Sequence, residues 1–171
     1  MRYIMRTFTV SVLLALTSLN PILGSVSNSD MFPETPNEKL TPGDICEKPD
    51  SFRYPEKIKY CERDVSRERK AAIFVSYDTE LGFHTRELNR MDFKIDHYIP
   101  LCMGGSNDSE NLWPQHKTIY QQTDPIEPVL CELMASGRIV QAKAISIIRH
   151  IKQNPEESAK VLEDLESQLR K

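Results

Sequence analysis

Between Lys94 and Gln122 the sequence KIDHYIPLCMGGSNDSENLWPQHKTIYQQ leaves the backbone few paths. Phe93, Ile95, Ile99 and Leu101 alternate with Lys94, Tyr98 and Pro100, a period of two that predicts a strand ending near Leu101. Met103 to Asp108 then concentrates residues that accept positive φ or hydrogen-bond their own backbone, so the chain is expected to reverse there. A short return strand follows around Leu112 and Trp113, ended by Pro114, which cannot donate to a ladder. The expected product is a hairpin with Asp96 and His97 on its outgoing arm and Asn111, with His116 nearby, on its return arm.

Those side chains suit metal-assisted hydrolysis of a phosphodiester. A neutral imidazole can take a proton from water, and a neighbouring carboxylate can hold a hard cation against a phosphate. A regular strand sends Asp96 and His97 to opposite faces, so one metal can use both only if the strand twists or bulges there.

The pattern Asp96-His97-x-Ile99-Pro100-Leu101, Gly104-Gly105-Ser106-Asn107-Asp108 and Asn111-Leu112-Trp113-Pro114-Gln115 resembles the HNH, or ββα-metal, nucleases, and within them an exported bacterial subgroup. The likeness extends upstream through Thr41-Pro42-Gly43-Asp44-Ile45-Cys46, Tyr54-Pro55 and Cys61 to Val65, and downstream to about Gly137. It implies His97 as general base, Asp96 as metal ligand, and Asn111 as the residue that ties the hairpin arms together and orients His97. It also implies a divalent cofactor: Mg²⁺ or Mn²⁺ is the first expectation, with Zn²⁺ or Ni²⁺ as alternatives. The chain departs from the family at the further ligand, because the usual position on the following helix holds Tyr120. His116, Gln121, Gln122, Asp124 and Glu127 lie nearby, and His116 is the preferred substitute.

Upstream, Met1 to Gly24 places Arg2 and Arg6 before the apolar run Thr7 to Leu16 and the small residues Gly24, Ser25 and Ser27. This reads as a secretory signal peptide cleaved between 24 and 27, with an apolar run too short for a stable membrane anchor. Residues 25–40 read as a flexible leader, and residues 41–171 as a single domain. Cys46, Cys61, Cys102 and Cys131 make an even number in an exported chain, which predicts two disulfides rather than a zinc site, since no CxxC spacing occurs. Three pairings are open. Cys46–Cys61 would close a short loop, and Cys102–Cys131 would tie the hairpin turn to the following helix.

Helices are expected from Ser66 to Tyr77, capped by Ser66, and after a capping box at Asp124 to Glu127 as far as Gly137, where the α of ββα should lie. Two more follow, over Ile139–Gln153 and from Asn154 to Leu169, the last one acidic and packing through Val161, Leu162, Leu165 and Leu169. The fold class is therefore α+β, a small ββα core surrounded by additional helices. Lys57, Lys59, Arg63, Arg67, Arg69 and Lys70 form the one concentration of positive charge, suited to a phosphate backbone or to a solvated helix face. Loss of the signal leaves 20 basic against 25 acidic residues, a balance of −5 that repels a polyanion at long range.

The expectation is an exported, monomeric HNH endonuclease of low sequence specificity, periplasmic or secreted, with DNA ahead of RNA as substrate. The alternative is a catalytically inactive protein of the same fold that binds a protein or a nucleic acid.

Overall fold

A computed structural model describes residues 28–170; the expected signal peptide and its cleavage point lie outside the described residues. The elements run α1 (Asn28–Met31), β1 (Ser51–Arg53), β2 (Ile58–Tyr60), α2 (Arg67–Leu81), β3 (Phe93–His97), β4 (Leu112–His116), α3 (Lys117–Thr123), α4 (Ile126–Ala135), α5 (Gln141–Gln153) and α6 (Ser158–Leu169). The class is α+β, with two small antiparallel sheets, β1–β2 and β3–β4. No helix among the described residues is long and apolar enough to cross a membrane.

The β3–β4 ladder is regular. Residues Phe93 to His97 pair one-to-one with His116 to Leu112, without a bulge. Alternation along β3 therefore divides the molecule. Phe93 and Ile95 point into a core shared with Ile73, Phe74 and Tyr77 of α2, whereas Lys94 and Asp96 reach residues after β4 and on α5. A second core of Leu130, Leu133, Ile148, Ile151 and Leu165 unites α4, α5 and α6. The hairpin is thus sandwiched between α2 and the C-terminal helices.

Several boundaries differ from the sequence reading, each for a local reason. β3 ends at His97 rather than near Leu101, because a 3₁₀ turn over Leu101–Met103 begins the reversal, closed by Gly104 at φ +84°. Pro114 lies inside β4, opposite Ile95, instead of ending it. A two-stranded sheet leaves each strand one unpaired flank, where a missing N–H breaks no ladder. α2 continues past Tyr77 to Leu81, with Ser66 Oγ accepting from Arg69 N at 3.1 Å and Gly82 in the left-handed region at its end. The expected capping box does not form: α4 has no side-chain cap, because the Asp124 carboxylate is drawn to Lys94 at 2.6 and 2.8 Å. The helix that follows the hairpin is instead α3, which starts directly after β4 and is capped by His116.

The segment expected as a leader contributes to the core. Phe32 is buried and stacks on the His116 ring with centroids 4.1 Å apart, and Asn37 N donates to the Tyr77 hydroxyl at 3.2 Å. Two disulfides form, Cys46–Cys61 and Cys102–Cys131. The first staples the segment that pairs with the glycine turn: Ile45 bridges Gly105, and Cys46 N donates to Gly104 O at 2.8 Å. Gly105 has no room for a side chain, since a Cβ there would lie 1.8 Å from Ile99 O.

Candidate functional site

Asp96 and His97 occupy opposite faces of β3, as a regular strand requires. His97 is on the α2 side and only 3% exposed. Its Nε2 lies 3.1 Å from Asn107 Oδ1, and its Nδ1 is buried without a hydrogen-bond partner. Burial, aided by the Arg63 charge, pushes the imidazole pKa down to about 4 despite the Asn107 contact, so the ring is neutral at physiological pH.

Asp96 is on the other face, 7% exposed, at the centre of a charge cluster. Lys152, fully buried on α5, places Nζ 2.6 Å from Asp96 Oδ2, 2.7 Å from Glu127 Oε1 and 2.6 Å from the His97 carbonyl oxygen. All three of its protons therefore have acceptors. Lys94 Nζ lies 3.1 Å from Asp96 Oδ1 and 2.6 Å from Asp124 Oδ1, with the Tyr120 ring 5.1 Å away. Burial alone would raise the Asp96 pKa, but the Lys152 and Lys94 ammoniums overcome it and hold the carboxyl below its usual range. Glu127 is pushed up, chiefly by burial and further by the Asp96 charge. Lys152 is raised, because Asp96 and Glu127 outweigh the burial that would lower it.

Asn111 ties the hairpin arms as the sequence suggested. Its Oδ1 accepts from Ile99 N at 2.8 Å, and its Nδ2 donates to Ile99 O and Ser106 O, each at 2.9 Å. Contact with His97 belongs to Asn107 instead. His116 is not brought to Asp96. It pairs with Phe93 at the far end of the ladder from His97, about 13 Å away at about 3.3 Å per residue, and its imidazole sits between Phe32 and Phe93. The carboxylates of Asp124 and Glu127 come to Asp96 in its place, with ligand oxygens of all three within 4.8 Å of one another.

Of the six basic residues, Arg69, Lys57 and Lys59 line two separate depressions, whereas Arg63, Arg67 and Lys70 line neither. Arg69 reaches the turn, donating to Asn107 O at 2.6 Å, and with Lys48 lines a depression of about 380 Å³ that also holds Glu47, Asp64 and Asp108. Lys57 and Lys59 line a separate depression of about 260 Å³ beside Gly104 and Gln141. Cys61 lines the first and Cys46 the second, so the disulfide is the ridge between them. Arg63 is close enough to His97 to act on its charge.

Sequence reasoning missed Lys152 and Asn107. Lys152 had a signal, since it stands four residues after Ile148 on the face that α5 buries. Asn107 reads as a turn residue and carries no mark of its partner.

No protein-family model, curated protein or solved structure matches the chain. The resemblance to HNH nucleases accordingly rests on the motif residues. Three carboxylates make an all-oxygen set suited to a hard ion. With all three ionised and Lys152 retained, the set carries −2, which one divalent cation balances. The fit requires the Lys94 ammonium to leave, and Lys94, 32% exposed along its side chain, lies at the solvent edge with Asp124.

Proposed function

We propose that this chain is an exported endonuclease of the ββα-metal type that hydrolyses phosphodiester bonds of nucleic acid, DNA ahead of RNA, with little sequence specificity. The observation that carries the reading is the return of Asp124 and Glu127 to Asp96, beside a strand whose next residue is a neutral histidine with an unused nitrogen. His97 takes the proton of the attacking water at Nδ1. Asp96, Asp124 and Glu127 would hold a cation that would supply charge to the phosphate and to the leaving oxygen, and because they lie across β3 from His97, joint action on one phosphate requires the strand to twist between Asp96 and His97. Lys152 fixes Asp96 and Glu127 in register with each other. Arg63 and Arg69 offer positive charge on the His97 side, where a phosphate backbone would lie. Two disulfides accord with export.

A second reading, a binding protein of the same fold without catalysis, is favoured by the two ammoniums that already balance most of the acidic cluster and by the burial of His97. Calorimetry with Mg²⁺ and Mn²⁺ separates the two. On the nuclease reading Asp124→Asn weakens cation binding by about tenfold or more, Lys94→Met strengthens it by removing a competing ammonium, and His116→Ala leaves it unchanged. Absence of divalent-ion binding by the native chain, together with no metal-dependent nicking of plasmid DNA, would remove the nuclease reading.

A further inference from the structure

We infer that Asn107 is the positioning residue that decides which nitrogen of His97 carries its proton, an inference that rests on the proposed role of His97 as base. The Asn107 amide is committed at its nitrogen end, where Nδ2 donates to Glu62 O at 2.6 Å. Its oxygen is therefore the atom that faces His97 Nε2 at 3.1 Å, and an amide oxygen only accepts. A neutral imidazole in this contact must carry its hydrogen on Nε2. The lone pair then resides on Nδ1, the buried atom with no partner.

The orienting residue is itself fixed from two elements besides the hairpin. Arg69 of α2 donates to its carbonyl oxygen at 2.6 Å, and Glu62 directly follows Cys61, which is bonded to Cys46. Asn111 cannot take the role, because both ends of its amide are engaged by Ile99 and Ser106. Two asparagines of one turn thus divide the work: Asn111 closes the hairpin and Asn107 sets the imidazole.

Nitrogen-15 NMR of the full chain at neutral pH tests the assignment without reference to activity. The native protein is expected to show His97 in a single Nε2–H form with a protected ring proton. In Asn107→Ala that proton should exchange about tenfold faster, as the tautomers mix. Nicking by Asn107→Ala should fall about 10- to 100-fold, the range for groups that orient a reacting side chain at one remove. An Nδ1–H form in the native protein, or an unchanged tautomer and exchange rate in Asn107→Ala, would overturn the inference. A native chain that shows the single Nε2–H form but does not cut nucleic acid would leave Asn107 as the orienting group and remove the nuclease reading instead.

Discussion

On the proposed nuclease reading, replacing His97 with glutamine is expected to lower metal-dependent plasmid nicking by about 10²- to 10⁴-fold, the contribution of a positioned proton acceptor. Glutamine keeps a polar side chain of comparable reach but has no nitrogen lone pair basic enough to accept the proton. The variant also separates chemistry from folding. His97 makes one side-chain hydrogen bond, to Asn107, so losing it should cost only about 0.5–1.5 kcal/mol of stability. Nicking is compared at equal protein concentration, and folding by urea titration of the same preparations. Native-like cutting by folded His97→Gln, free of contaminating nuclease, would remove the imidazole from the mechanism.

Lys152→Met is expected to destabilise the chain by about 3–5 kcal/mol, the usual result of removing one member of a buried ion pair. Lys152 is wholly buried, so solvent does little to screen its charge from Asp96 at 2.6 Å or Glu127 at 2.7 Å. Its loss leaves Glu127 without its ammonium and Asp96 with Lys94 alone, and frees the His97 carbonyl oxygen as well. Adding Asp96→Asn and Glu127→Gln to Lys152→Met should recover part of the deficit, because neutral amides are cheaper to bury than stranded charges. The midpoint and slope of urea unfolding measure both steps. A Lys152→Met midpoint equal to the native one would mean that the cluster is solvated in solution.

The hairpin was legible because its signals are local. Alternation around Phe93 and Ile95, the glycine turn and Asn111 each act over a few residues, and they formed as expected. The site was less legible because it is assembled across long separations. Lys152 reaches Asp96 over 56 residues and Asn107 anchors to Glu62 over 45, and neither pairing leaves a spacing that a reader could count. The helix expected after Asp124 formed over Ile126–Ala135, and the failure of its cap has a similar cause. Asp124 and Glu127 look like a cap, but the lysines beside them attract the carboxylates more strongly than the backbone N–H groups do. His116 was chosen for its chemistry and its nearness to Asn111 in sequence. The ladder carries it to the opposite end, where it caps α3 and stacks on aromatic rings.

The Cys46–Cys61 bridge makes the readiness of His97 a matter of timing. The bridge spans a sequence separation of 15, a closure worth about 3 kcal/mol, and one of its cysteines is the neighbour of the carbonyl that anchors Asn107. While both thiols are reduced, Glu62 keeps its hydrogen bond to Asp50 and the short β1–β2 pairing but loses the covalent tie to the segment that pairs with the glycine turn. On the proposed nuclease reading, a chain with both thiols reduced would hold the His97 imidazole less firmly oriented than the oxidised chain does. Cys46→Ser with Cys61→Ser is accordingly expected to blur the His97 tautomer in the nitrogen-15 spectrum as Asn107→Ala does, and an unblurred spectrum would separate oxidation from readiness.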